Sequence, residues 1–330
     1  MPSGVFAAYT SKRRAFIWSG EDTASGADCL VAWDKVTTPT ECGGLGVRDL
    51  NIQNRCLLLK LLHKLHTRTE SSWASWVAEH ADIASMEGDL NGDHWETMRA
   101  LQPAYQELTT VKLGDGRTCS FWNDSWLPQG RLSDKLPALF SHALKPSSSV
   151  RTVITNGLRS HLTPRLSRVA KTELQLATAW LADIQISTTP DQRCSPLIDN
   201  DNRLRTAPIY KMLVAGTDHS CPYAHYVWRN RSPPRVQFFS WLMVQGRIKS
   251  RSTLLTKHVV QDATCELCRD AAETADHLIL HCTVSRAFWA AIGVQLSNNI
   301  SVQNIWEIAR PERVPQNHYH CFLQLCCWMI

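Results

Sequence analysis

A chain of 330 residues is long enough for two ordinary domains or for one large domain with appendages. Its 44% apolar content can fill a packed core, and 20% charged residues with a net charge of +5 argue against wholesale disorder. No apolar run approaches the ~20 residues of a membrane span, and Lys12, Arg13 and Arg14 follow a weak apolar stretch where a secretory signal would put its charges first.

These features predict an intracellular protein, nuclear or cytoplasmic, not secreted and without a membrane partner. The twelve cysteines do not overturn this. Outside one cluster they are scattered (Cys29, Cys42, Cys56, Cys119, Cys194, Cys221, Cys321, Cys326, Cys327), several inside apolar patterns, as buried free thiols of a reducing compartment would be. Thirteen tryptophans point to several aromatic-anchored clusters or to exposed stacking surfaces.

From the N-terminus, residues 12–36 begin with cations, pass Phe16-Ile17-Trp18 and a polar loop, and reach Leu30-Val31-Ala32-Trp33, a short buried strand or a helix start. Cys42-Gly43-Gly44-Leu45-Gly46-Val47 lacks the lysine and Ser/Thr of a phosphate loop and the G-x-G-x-x-G spacing. It reads as a turn in which backbone approaches backbone. Leu58, Leu61, Leu62 and Leu65, broadened by Ile52, Cys56 and Leu59, predict a helix from Leu50 to about Thr67. Lys60, Lys64 and Arg68 align on another face, where they could track phosphates or simply meet solvent. Trp73 and Trp76 read as helical.

Between Val111 and Trp122, β-prone runs flank Gly114-Asp115-Gly116 and predict a hairpin. Trp122 and Trp126 bracket Asp124, which has no carboxylate or histidine partner by spacing and is expected to cap a turn. Residues 128–150 are rich in Pro and Ser and read as a linker. A helix is expected from about Leu166 to Ile184, and a domain boundary in the irregular stretch Ser187–Arg203. Helices then follow around Ile209–Leu213, over Val236–Gly246 and over Ala287–Ile292, before a tail that ends on an apolar run, as if truncated. The fold class is therefore mainly α with a small β-hairpin region (α+β), closing in a helical metal-binding module. The expected plan is 1–127 a connector-like region with a hairpin near 111–122, 128–200 a variable linker with a helix, 201–295 the metal module, and 296–330 a truncated tail.

The strongest chemical signal is Cys265-x2-Cys268-x8-His277-x4-Cys282. Two cysteines two residues apart can aim both sulfurs at one ion, and a histidine and a further thiol complete the closed tetrahedron of structural zinc. His281, beside Cys282, is the alternative fourth donor, and the thiolate is preferred. A water-activating catalytic zinc would keep an open position and only three protein ligands. A second signal lies beside it: no acid occurs between Asp218 and Asp262, while Arg229, Arg231, Arg235, Arg247, Lys249, Arg251 and Lys257 all do. Such a field fits a polyanion, which Lys and Arg bind with counterion release, or a solvated face. Tyr223, Tyr226, Trp228, Phe238, Phe239 and Trp241 could stack on unpaired bases, but the helical spacing of Phe238, Trp241 and Leu242 favours a core role.

Several phrases together resemble a known family. Pro233-Pro-Arg-Val-Gln-Phe-Phe-Ser-Trp-Leu242, Gly246-Arg-Ile-Lys-Ser-Arg251, Cys265 with Cys268, Glu273-Thr-Ala-Asp-His277-Leu-Ile-Leu-His-Cys282 and Phe288-Trp289 resemble the zinc-binding domain downstream of the polymerase in LINE-type (non-LTR) retrotransposon reverse transcriptase polyproteins. Upstream, Pro2-Ser-Gly-Val, Arg14-Ala-Phe-Ile-Trp-Ser-Gly20, Val31-Ala-Trp-Asp34, Gly43-Gly-Leu-Gly-Val-Arg-Asp-Leu50 and Leu113-Gly-Asp-Gly116 with Phe121-Trp-Asn-Asp124 resemble the segment joining the polymerase thumb to that domain.

The resemblance implies structural zinc on Cys265, Cys268, His277 and Cys282, and a role in holding RNA or DNA. It also implies a start after the catalytic palm, because the paired aspartates that hold two magnesium ions in the polymerase have no counterpart: Asp199 and Asp201 are split by Asn200. The expectation is a non-catalytic fragment. Its partners would be RNA, DNA or the catalytic part of a reverse transcriptase. The rivals are a protein-interaction module and a decayed element without a cellular role.

Overall fold

The computed structural model describes residues 3–26, 28–67, 71–214, 221–297 and 299–330. Of the positions singled out above, Met1, Pro2, Arg68 and Asp218 lie outside them. The described chain is mainly helical, with two small two-stranded antiparallel sheets. None of its helices is long and apolar enough to cross a membrane. It divides into two compact units, one built on Leu50–Leu213 and the other on Gly4–Asp49 together with Val214–Ile330.

The first unit holds two cores. The predicted leucine stripe forms the helix Leu50–His66, burying Cys56, Leu58, Leu59, Leu62 and Leu65. These pack with Ala74 and Val77 from helix Ser72–His80, and with Trp95, Met98, Leu101 and Tyr105 from helix Asp93–Leu108. Each buried leucine of the stripe contributes about 1.5–3 kcal/mol by its removal from water.

The second core overturns the expected linker. Trp122 and Trp126 gather Leu132 and Leu139 from two one-turn helices, Leu136 from the join between them, Val150 and Val153 from helix Val150–Asn156, and Ala170 and Ala177 from helix Arg168–Leu181. The helices Leu132–Lys135 and Pro137–Phe140 are only one turn long, too short for a periodic stripe, so composition there suggested a linker. The helix expected at 166–184 is present, capped by Ser167, whose Oγ accepts the Ala170 amide.

The local hairpin at 111–122 does not form. Thr110–Lys112 pairs instead with Gln192–Cys194. The reason is Asp191: its carboxylate accepts the amides of Gly114, Gly116 and Thr118 at 2.8, 2.9 and 3.0 Å. Those donors are thereby satisfied without a neighbouring strand.

In the second unit, helices Ser3–Trp18 and Trp33–Thr37 share a core with Ala224–Trp228, Pro234–Val244, Thr283–Ala291 and Tyr319–Met329. The glycine turn is what its composition implied. A Cβ on Gly44 would lie 2.0 Å from the Thr38 carbonyl oxygen, and Gly43 has φ +80°. The Gly43 carbonyl accepts the Trp241 indole and the Tyr223 hydroxyl, each at 3.0 Å. The unit therefore cuts across the expected plan, because 4–49 and the apolar tail both belong to the core around the metal module. Tyr226 and Trp241 are buried and Tyr223, Trp228, Phe238 and Phe239 half-buried in that core, so the aromatics serve packing.

Candidate metal centre

Residues 263–273 fold into a tight reversal. Thr264 pairs with Ala272, the Cys265 amide donates to Ala271 O at 2.8 Å, and the Glu273 amide to Ala263 O at 2.7 Å. Between the strands, the Arg269 amide donates to Cys265 O at 2.8 Å, and Arg269 takes φ +56° to close the turn. This reversal holds Cys265 and Cys268 side by side.

The other two donors come from a widened π turn, His277–His281, in which the Cys282 amide donates to His277 O at 2.6 Å. In an α-helix residues five apart point about 140° away from each other. The i to i+5 closure of a π turn brings them towards one side. Following groups take the turn's carbonyls: Ser285 Oγ donates to Leu278 O at 2.5 Å and Trp289 Nε1 to Ile279 O at 2.7 Å. Asp276 fastens the turn's start by accepting the Val302 amide at 2.7 Å.

The result is a compact donor set. The three sulfurs and the His277 ring nitrogen all lie within 4.8 Å of one another, Cys268 Sγ and His277 Nε2 being 3.3 Å apart. A tetrahedral zinc with ~2.3 Å bonds to sulfur sets its sulfurs ~3.8 Å apart, so the set fits such an ion with little adjustment. Cys265 and Cys282 are fully buried, Cys268 and His277 half-buried. Cys282 belongs to this group and His281 does not. Burial pushes the Cys265 thiol up, whereas backbone amides, that of Asp270 foremost, hold Cys268 at about 7. Cys268 is thus the readiest of the two to give the thiolate a cation needs.

The cations singled out beside this set have varied surroundings. Arg229, Arg231, Arg235, Arg247, Lys249 and Lys257 are exposed. Arg251 is not available in the same way: its guanidinium is ion-paired with Glu266 and its amide donates to Glu273 Oε1 at 3.0 Å. Nor is the region acid-free in space. Asp28, held below its usual carboxylate range first by Ser25, also feels Lys257 and Lys249. The linear window could not contain these acids.

Two features of the sequence gave no warning. His225 and His320 meet with their Nδ1 atoms 3.3 Å apart. In the other unit, Asp124 is no simple turn cap; its Oδ2 accepts the Ser120 amide at 2.7 Å, and the carboxylate forms a buried ion pair with Arg193. Asp199 and Asp201 do form a turn, Asp199 Oδ1 accepting the amides of Asp201 and Arg203.

Residues 205–289 match the family described as zinc-binding in reverse transcriptase. All four donors lie inside that segment. The chain is also 21% identical, over 315 residues, to a protein of Arabidopsis thaliana named as a ribonuclease H protein. That similarity covers 88% of this chain and 48% of the relative, so the chain spans about half the length of the protein it matches. No solved structure is significantly similar to it.

Proposed function

We propose that the chain is a non-catalytic, zinc-stabilised nucleic-acid-binding part of a LINE-type retrotransposon reverse transcriptase polyprotein. The observation that carries this reading is the convergence of Cys265, Cys268, His277 and Cys282 within 4.8 Å inside a segment matching a reverse-transcriptase zinc-binding family. With four protein donors on the ion, no position remains for water or substrate, and the metal's part is to fix the reversal to the π turn. The chemistry it would supply is that of folding. Structural zinc contributes on the order of 10 kcal/mol of apparent binding energy that is also folding energy.

The exposed Arg229, Arg231, Arg235, Arg247, Lys249 and Lys257 would then meet phosphates, with Arg251 kept to a structural pairing with Glu266. The relative's ribonuclease H name and the reverse-transcriptase family support an RNA or DNA partner for this chain. The test is binding of single-stranded RNA and DNA by the full chain across a salt series. The Arg247→Glu/Lys249→Glu variant should bind more weakly and with a shallower salt slope. Unchanged affinity and slope would remove the phosphate-contact assignment, and retention of partners after nuclease and high salt would favour the protein-interaction rival.

A further inference from the structure

Within the Leu50–Leu213 unit lies a cleft of about 560 Å³, inside the ~300–1,000 Å³ range of small-molecule sites. We propose that it is a second nucleic-acid contact, taking a phosphodiester of an unpaired strand between the Arg117 and Arg151 guanidiniums. The inference rests on the nucleic-acid reading above but concerns a different unit and different residues.

Both arginines spring from one rigid platform. Arg117 sits in the loop whose Gly114, Gly116 and Thr118 amides are pinned to the buried Asp191 carboxylate. Arg151 lies in the first turn of helix Val150–Asn156, its amide donating to Gly116 O at 2.9 Å and its Nη1 to Asp115 O at 3.4 Å. There is no room to loosen this join, since a Cβ on Gly116 would come within 2.9 Å of the Arg151 nitrogen. The two backbones that carry the guanidiniums are therefore fixed relative to each other, so binding has only side-chain freedom to lose.

Their neutralisation within the protein is slight. Arg117 is 60% exposed and reaches Asp115 only at 3.9 Å. Hydroxyls of Ser149 and Thr152, hydrogen-bonded to each other at 2.8 Å, line the same cleft. Ala74 and Ala78 also line the cleft, small apolar side chains that leave room for a sugar or base. Asp82 also lines the cleft, its Oδ1 accepting the Ser85 amide at 2.9 Å, and would repel a second phosphate beside it. Two guanidiniums, two hydroxyls and small apolar side chains around one cleft fit one nucleotide unit, phosphate to the arginines.

The test uses the full chain and Arg117→Gln/Arg151→Gln, with far-ultraviolet circular dichroism confirming the fold. A labelled single strand of roughly 12 nucleotides, uridine monophosphate and inorganic phosphate serve as probes. The expected result is at least about tenfold weaker strand binding. The salt slope should also be shallower by about 1.4, the value for two lost contacts to a single strand. Arg117→Lys/Arg151→Lys should recover the slope but not all of the affinity, since lysine lacks the fork.

Strand affinity and slope unchanged in the glutamine variant would overturn the proposal. So would weakened binding of uridine monophosphate or phosphate with strand binding intact, which marks a free-nucleotide site. Failure of the metal-module reading looks different: Arg247→Glu/Lys249→Glu would be silent while the glutamine variant still weakens the strand.

Discussion

The Asp124 carboxylate and the Arg193 guanidinium face each other in two parallel hydrogen bonds of 2.6 and 2.9 Å, both side chains wholly buried. Arg193 also donates to Thr109 Oγ1, Thr118 O and His66 Nδ1, and lies 5.2 Å from the centre of the Tyr105 ring. The pair so joins the long-helix core, through Tyr105 and His66, to the tryptophan loop that carries Asp124. Its geometry compensates for desolvation only while both partners remain.

Removing one partner should therefore be costly. Asp124→Ala or Arg193→Met is expected to destabilise the unit by about 3–5 kcal/mol, and replacing both by apolar residues by much less than the two losses added. Urea unfolding with a double-mutant cycle measures this. Single losses below about 1 kcal/mol would show the pair to be energetically idle.

The same guanidinium bears on pH. His66 Nδ1 lies 3.0 Å from Arg193 Nη2, and burial first, then Arg193, hold its pKa well below 6.5. Burial lowers His63 as well. A depressed histidine binds protons more readily in the unfolded chain, so its stabilising contribution is full above pH 6.5 and drains away as pH falls towards the folded-state value. The unit's melting temperature is expected to drop between about pH 7 and 5, and His66→Gln should flatten that drop. An equal pH dependence in the variant would assign the effect elsewhere.

Backbone approach makes a separate forecast at two turns. Gly44→Ala would force a methyl to within 2.0 Å of Thr38 O and 2.7 Å of Lys35 O, and should cost more than about 2 kcal/mol in thermal unfolding. Arg269, at φ +56°, should accept glycine with little change, whereas Arg269→Val adds the left-handed strain of a β-branched residue and weakens metal retention. Equal metal retention in the glycine and valine variants would show that this turn does not shape the site.

What the sequence revealed follows from range. The helix Leu50–His66 was legible because one stripe repeats over several turns, and the Cys265–Cys282 donors because they lie in one short stretch. Thiolate chemistry already preferred Cys282 to His281, but the π turn that gathers His277 with Cys282 is a closure no spacing rule contains. Asp124 and Arg193 are 69 residues apart, and Trp241 reaches Gly43 across 198. Local patterns say nothing about such pairings. The hairpin expectation failed for a related reason, because the distant Asp191 satisfied the amides that a neighbouring strand would have taken.

The central claim is that four side chains clasp one structural ion. Metal content of the purified full chain and of Cys268→Ser, read by elemental analysis alongside hydrogen exchange, tests it most directly. One zinc per native chain is expected, lost in the variant together with protection across 263–291, while the Leu50–Leu213 unit keeps its own protection. A native chain that neither carries nor takes up zinc, or a Cys268→Ser chain still fully protected over 263–291, would contradict the account.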